Sequence, residues 1–578
     1  MKKMVSVKTF VRAFSCLGFL TAYLACAPGD CAVPETVVEP DNTAARSPFK
    51  NYNTLDPAFV RKFLKPGMYM HESEVKPGME GYGLSVFQGS KVEKFSVKVI
   101  GVMKQSLNGR DAILVRLSGK AMANNNVVRG MSGSPIYIND KLIGALSYGF
   151  DFSKEPIAGV TPIADMLDAL AEPEDAPRAN KIGRVPGRFV DGTIVGNSQS
   201  ADALKRSLLS SGAPEMVPLM TPVSLAGFSP RARDYLKERF SKLGLCVSQG
   251  SSGGLNEELI NLDRQAANNL APGSAISVLL STGDFTSAAT GTVTALFGKR
   301  LLAFGHPFLG SGSIEVPMGS AYVHDVLPSL SVSFKLSSPM KILGSIYADR
   351  PWSVSGELGR HSRMIPLNIS IVDGERHVKK VYKSSVLSHQ DFTPDMLAAT
   401  VISAIDASFQ SAAPYIMHVK SSIKVDGGPS IDRTDRYTST EMSSDASSIL
   451  SLLPFFSDPI AGYVRSTTAR VYNNKFKQAS VASVDLELKM IPGRNVTEIE
   501  RVVVDTPVVK PGDKVSLSCV LDAYNGGKRV RKIEMEIPRN APDGDLLIGV
   551  SGGSNLAALR KRMNLLEPES ENLDQYLA

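Results

Sequence analysis

Cysteine is scarce: the 578-residue chain holds five. Cys16, Cys26 and Cys31 fall near the N-terminus, and Cys246 and Cys519 lie far apart in apolar runs. No disulfide framework is expected, and the last two read as buried thiols. Also missing is any Cys/His spacing of a structural zinc site, so neither a metal nor an organic cofactor is implied. Beyond the N-terminus no apolar run is long enough to span a bilayer, because ILSLLPFFSDPIAGYV is broken by Pro454, Asp458 and Pro459. Excess charge is small too. The formal charge is +7, and subtracting Lys2, Lys3, Lys8 and Arg12 leaves +3. That excludes an electrostatic case for nucleic acid or an anionic membrane surface, and no basic–aromatic interleaving suggests one either. No internal repeat recurs at a fixed period.

What is there first is an export pattern. A basic start, MKKMVSVKTFVR, precedes the apolar run AFSCLGFLTAYLA and then Cys26. The run suits a signal peptide over residues 1–25. Leu24-Ala25-Cys26 has the ending of a bacterial lipobox, although Tyr23 stands where that pattern has Leu. Cys26 is therefore the candidate lipidation site, with ordinary cleavage nearby as the alternative. Either route implies an exported protein, periplasmic or associated with the cell envelope, whose membrane contact is at most an N-terminal lipid. Residues 26–66 are polar and proline-bearing and read as a tether.

The length suits three or four domains. β character begins near residue 67, where GLSVFQGSKVEKFSVKVIGVM alternates apolar and polar residues around a turn at Gly89-Ser90. The stretch GVTPIADMLDALAE predicts a short helix with Thr161 as its N-cap. A mixed α/β insertion over 171–270 contains the helix pattern SPRARDYLKERFSKLGL, opened by Ser229 and Pro230. Strand patterns return from 271 to 390. GTVTALFGKRLLAFGHPFLG among them reads as a hairpin turning at Gly298-Lys299. Residues 391–480 are helical or mixed, with a helix capped by Thr393 and entered at Pro394. Short strands over 481–556 predict an immunoglobulin-like β-sandwich, and 557–578 a helical tail.

The densest chemical signal is Gly130-Met131-Ser132-Gly133-Ser134-Pro135, leading into the strand pair PIYI and LIGALSYG. A serine hydroxyl is a weak nucleophile that needs a base and donors for the developing oxyanion. In a G-x-S-G-x-P bend the N–H groups of Gly130 and Ser132 would converge as an oxyanion hole, and Ser132 takes the nucleophile's position. The bland alternative is a glycine-rich turn entering a hairpin. For the base, His306 alone of the histidines sits in a built bend, LLAFGHPFLGSG. Taken by itself it reads as a turn histidine.

Together the two segments resemble the SpoIVB peptidase family of serine peptidases. VVRGMSGSPIYINDKLIGALSYGF is similar to the family's nucleophile segment and GTVTALFGKRLLAFGHPFL to its histidine segment. PMKILGSIYADRPWSVSGELG resembles the stretch C-terminal to the histidine in that family. The likeness spans roughly 75–165 and 275–365. It implies a serine endopeptidase with Ser132 as nucleophile and His306 as general base, acting on a protein or peptide substrate of the envelope. It implies a mainly β fold of two small chymotrypsin-like β-barrel halves, a serine-bearing one over 67–170 and a histidine-bearing one over 271–390, beside the insertion and the C-terminal sandwich. The chain departs from the family in three ways. Serine precedes histidine here. The family's aspartate, fifteen positions before the serine, is Leu117. No PDZ-like segment is present. The third catalytic residue stays open among Asp349, Asp111 and a Ser–His dyad oriented by a backbone carbonyl. An inactive pseudopeptidase serving as an envelope scaffold is the rival reading.

Overall fold

The computed structural model describes residues 5–9, 63–65, 67–107, 109–119, 122, 126–150, 153–170, 189–190, 193–194, 216–250, 257–329, 333–408, 415–438, 459–493, 497–524, 526–541, 544–550 and 570–577. Cys26, most of the leader, nearly all of the tether and most of the helical tail lie outside these residues. The chain divides into two compact units, Met1–Tyr52 with Gly493–Glu569, and Asn53–Pro492 with Ser570–Ala578.

After a first strand, β1 (Val5–Thr9), the larger unit opens with β2 (Glu80–Val86), β3 (Val92–Leu107), β4 (Arg110–Ser118), β5 (Pro135–Ile138), β6 (Lys141–Phe150) and β7 (Ile157–Pro162). Their order is β6-β5-β2-β3-β4-β7, and a β6–β7 pairing closes the ring, all antiparallel. The alternation seen in the sequence drives this closure. Val97, Val99, Ile113, Val115, Leu117, Ile136, Ile138 and Val160 turn inward to one core. The β5–β6 hairpin turns at Asn139 and Asp140, whose φ values of 50° and 58° fit a two-residue turn matched to strand twist. Thr161 does not cap the helix Ile163–Met166, whose N-cap position is Pro162.

A short ribbon, β8 (Phe189–Val190) with β9 (Thr193–Ile194), precedes β10 (Met216–Pro218), which pairs with β6. Next come β11 (Thr221–Ala226), the helix Pro230–Ser241 and β12 (Leu245–Gln249), a parallel crossover. Ser229 caps that helix as expected, accepting from the Ala232 N–H at 3.3 Å.

A second ring comes next: β13 (Ala275–Gly283), β14 (Thr286–Phe297), β15 (Arg300–Ala303), β16 (Gly312–Leu327), β17 (Phe334–Arg350) and β18 (Ser353–Leu358). They run β14-β15-β18-β17-β16-β13, antiparallel throughout, and β13–β14 pairing closes the circle. The expected barrel half over 271–390 is therefore shorter, ending at β18. β19 (Met364–Asp373) and β20 (Lys379–Leu387) leave the ring and extend its sheet. There they join β21 (Tyr415–Val425), β22 (Ser430–Thr438) and β23 (Val481–Pro492), covered by the helices Thr393–Ser408 and Pro459–Tyr472. Thr393 lies inside its helix rather than at the cap, its hydroxyl donating to the Leu387 carbonyl at 2.7 Å.

The smaller unit is a sandwich of two three-stranded sheets. β24 (Thr497–Val504), β26 (Lys514–Ala523) and β27 (Gly527–Glu536) form one, and β25 (Val508–Val509), β1 and β28 (Gly544–Ile548) the other. Val502, Val515, Leu517, Val509 and Ile548 fill the space between. The sandwich was expected from residue 481. It begins later because β23 pairs with β19 and β21 in the larger unit.

Candidate active site

The serine turn is built from backbone. Gly130 and Gly133 have φ of +93° and +94°, a region open to glycine and strained for other residues. Gly133 N–H donates to Leu146 O at 2.8 Å, Ser134 N–H to Met131 O at 2.8 Å, and Leu146 N–H to Ser134 O at 2.9 Å. The two bonds to Leu146 fasten the turn to β6, and the Ser134–Met131 bond closes it internally. Among the described residues no acceptor engages the N–H of Gly130 or of Ser132, the pair the sequence assigns to an oxyanion.

The turn also docks on the second barrel. Thr292 N–H donates to Ser132 O at 2.8 Å, Thr292 Oγ1 to Gly130 O at 2.9 Å and Thr294 Oγ1 to Gly133 O at 2.7 Å. A Cβ on Gly133 would stand 2.0 Å from Thr292 O and 2.4 Å from Phe304 N. Gly133 thus permits a close approach of the two barrels as well as a bend.

His306 comes after β15 through two residues of positive φ, Phe304 (68°) and Gly305 (70°). A bulky residue there is strained, and such strain persists only where surrounding packing enforces it. The Phe304 ring lies against Gly291, where a Cβ would be 2.5 Å away. Gly305 faces β6 and β7 of the first barrel. Its carbonyl accepts from Thr161 Oγ1 at 2.7 Å, and a Cβ there would meet Ser147 Oγ at 2.1 Å. Thr161 therefore holds the histidine turn instead of capping a helix.

Both candidate side chains are buried, Ser132 at 0% and His306 at 3% exposure. His306 Nδ1 lies 2.8 Å from Pro307 O. A carbonyl only accepts, so Nδ1 carries the proton and Nε2 is left with its lone pair, the tautomer a general base needs. Burial pushes the imidazole pKa down to about 4, against the weaker effect of the Pro307 carbonyl, so the ring is neutral at pH 7. Among the described residues neither His306 Nε2 nor Ser132 Oγ has a hydrogen-bond partner. Among the same residues, buried hydroxyls without a partner also occur at Ser281, Ser287 and Ser355, but Ser132 and His306 stand on turns that dock on the facing barrel.

Asp349 does not reach the imidazole. Its carboxylate accepts the N–H groups of Phe308 at 2.8 Å, Leu309 at 2.7 Å and Ser311 at 3.2 Å. Burial raises its pKa, and these amides oppose the rise. It braces the loop after His306, and the group beside the imidazole Nδ1 is Pro307 O. Asp111 is engaged elsewhere, accepting from Lys104 Nζ at 2.6 Å and Gln105 N–H at 3.0 Å. Leu117, where the family has its acid, is a core residue of the first barrel.

One group escaped the sequence reading. Lys335 is wholly buried, its stem against Gly130, where a Cβ would lie 3.1 Å from Lys335 Cδ. Its Nζ donates to Ser85 Oγ at 2.9 Å and reaches Thr292 Oγ1 at 3.4 Å; Ser85 Oγ in turn accepts from Ser134 Oγ at 3.1 Å. Desolvation lowers its pKa to about 7. The signal was present in SVSFKL, where strand parity puts Lys335 and Ser337 inward in place of Phe334 and Leu336. Among the described residues no group of His, Cys, Asp and Glu could hold a metal.

Paired six-strand antiparallel rings, one presenting a serine turn and the other a histidine turn, have the architecture of the chymotrypsin-like barrels. Within that class, residues 57–167 match the family model of the SpoIVB peptidase S55, and the match supports a SpoIVB-like serine peptidase. The matched stretch spans the serine barrel and stops before His306. No curated protein and no solved structure matches the chain.

Proposed function

We propose that this chain is an exported serine endopeptidase in which Ser132 attacks a peptide carbonyl and His306 takes the proton and returns it to the leaving amine. The N–H groups of Gly130 and Ser132 hold the oxyanion, and the Pro307 carbonyl orients the imidazole in place of an acid. The observation that carries this reading is the pair of unsatisfied atoms, Ser132 Oγ and His306 Nε2, on turns interlocked through Thr292, Thr294 and Thr161. Leaving a buried polar atom unpaired costs on the order of 1–3 kcal/mol, and the peptidase reading gives these two a use. Export rests on the N-terminal pattern and makes envelope or exported proteins the substrate class.

The rival, a pseudopeptidase scaffold, draws on one observation: Ser132 Oγ and His306 Nε2 are not hydrogen bonded to each other. Fluorophosphonate labelling of the purified full chain, beside Ser132→Ala and His306→Ala, separates the two. The peptidase reading expects labelling that both substitutions abolish. Folded wild type labelled no more than Ser132→Ala would make the scaffold the better account.

A further inference from the structure

Among the described residues the serine turn leaves the N–H groups of Gly130 and Ser132 open, and the peptide groups around them are fastened. Met131 N–H donates to Val128 O at 3.1 Å, and Met131 O accepts from Ser134 N–H at 2.8 Å. Leu146 holds Gly133 N–H and Ser134 O. The other carbonyls are held from the second barrel. Lys335 N–H donates to Arg129 O at 3.0 Å, Thr292 Oγ1 to Gly130 O at 2.9 Å, Thr292 N–H to Ser132 O at 2.8 Å and Thr294 Oγ1 to Gly133 O at 2.7 Å. A trans peptide points its carbonyl and its N–H in opposite directions. Drawing Arg129 O to β17 therefore turns the Gly130 N–H the other way. Gly130 itself, at φ +93°, rotates with little steric resistance, so the bonds on either side of it, at Arg129 O and Gly130 O, fix its direction.

Behind Gly130 lies Lys335. Thr292 Oγ1 has one proton and gives it to Gly130 O, so toward Lys335 Nζ, 3.4 Å away, it accepts. The other Nζ bond, to Ser85 Oγ, leads through Ser134 Oγ back to the same turn. Lys335 is fully buried and desolvation alone accounts for its lowered pKa, so no carboxylate offsets its burial. An apolar stem of similar length would fill the space against Gly130 without that cost. What Nζ adds is its two bonds, and both lead to the serine turn.

We propose that Lys335 and Thr292 of the second barrel are positioning residues of the oxyanion hole: Lys335 keeps the Thr292 hydroxyl turned onto the Gly130 carbonyl, and together they hold the Gly130 N–H toward the reacting oxygen. This rests on the serine-peptidase reading, and it gives the second barrel a task besides carrying His306. The donors of the hole belong to the first barrel, and their direction is set from β14 and β17. Both residues act through the backbone of the turn and not on substrate. Losing a hole donor outright costs about 10²–10³ in rate, and losing the support of one donor is expected to cost less.

Fluorophosphonate labelling of the full chain, resolved into a saturating rate and a half-saturating probe concentration, tests this in wild type, Thr292→Val, Thr292→Ser, Lys335→Met and the double variant Thr292→Val/Lys335→Met. Thr292→Val and Lys335→Met are each expected to lower the saturating rate about tenfold or more, with half-saturation within about threefold of wild type. Thr292→Ser keeps the hydroxyl, and its rate is expected within about threefold of wild type. The two side chains act through one chain of bonds, so the double variant is expected to be no more than about threefold slower than the slower single variant. Lys335→Met is expected to unfold at no lower denaturant concentration than wild type at about pH 6. Slower chemistry with undiminished stability is a combination that a packing role does not give. An unchanged rate in folded Lys335→Met, losses that multiply in the double variant, or a rate that falls only together with stability overturns the proposal. Crystal structures of wild type and Thr292→Val supply a readout without chemistry. The Gly130 carbonyl is expected to turn away from β14 in the variant, and an unmoved turn overturns the proposal. A wild type that takes no label while that carbonyl still moves would strike the peptidase reading and leave the support of the turn standing.

Discussion

In the first barrel the serine turn is held by its own backbone. Two glycines supply the positive φ values, and the bonds to Leu146 close it on the adjacent hairpin. In the second barrel the histidine turn has little local support. Phe304 accepts a strained φ, Asp349 reaches across from β17 to gather three amides, and Thr161 of the other barrel takes the Gly305 carbonyl. One turn is written in six consecutive residues, whereas the other is assembled from three distant strands. A glycine-rich bend needs only its own sequence. The bend that carries His306 needs contacts from the facing barrel as well.

The sharpest way to break this pairing is Gly133→Ala. The new methyl would collide with backbone of the second barrel, at Thr292 O and Phe304 N, and neither can yield like a side chain. A loss of about 3 kcal/mol or more is expected in denaturant unfolding. Gly130→Ala should cost less than Gly133→Ala, because its nearest neighbours are the flexible Lys335 stem.

Next in size is Asp349→Asn. A triad aspartate replaced by asparagine loses about four orders of magnitude in kcat. Asp349 instead braces a loop, so the expected result is lower stability with a labelling rate within about 100-fold of wild type, since Pro307 O still fixes Nδ1. A full loss of about four orders of magnitude with stability retained would return Asp349 to the triad.

The two buried bases titrate in separate windows. His306 has a folded pKa near 4, below its ordinary value of 6.5. The unfolded chain binds more protons between those pH values, so stability is lost as pH falls from 6.5 through 4. His306→Ala should flatten that slope, and the acid limb of serine labelling should lie near pH 4. Lys335 has a folded pKa near 7 against 10.5. Its burial cost is complete below pH 7 and fades as pH rises toward 10.5. Lys335→Met should therefore gain most over wild type at about pH 6 and less at about pH 9, read from paired unfolding curves. The smallest effect is expected from Thr161→Val, which removes the bond to Gly305 O and should cost about 1 kcal/mol, with a measurable fall in labelling rate.

Much of this was legible from residues alone. The G-x-S-G-x-P bend, its hairpin, the helix opened by Ser229 and the turn at Gly298-Lys299 are local. Their determinants lie within a few residues, and period and turn chemistry report them. Strand pairing was less legible. β23 looks like any sandwich strand, and only long-range hydrogen bonds assign it to β19 and β21. Local residue patterns were enough to specify a mainly β chain with a bent serine turn and a turn histidine. Tertiary structure alone decided that the two turns dock, that Asp349 serves a loop instead of the imidazole, that Lys335 lies buried beneath the serine turn and that Met216–Leu219 lies along β6. The physical reason is range: dihedral preference and periodicity act over a few residues. Burial of a charge, the partner of a carboxylate and the occupant of a sheet edge are fixed by segments far apart in the chain, a separation visible in Lys335 and Ser85, which lie 250 positions from each other.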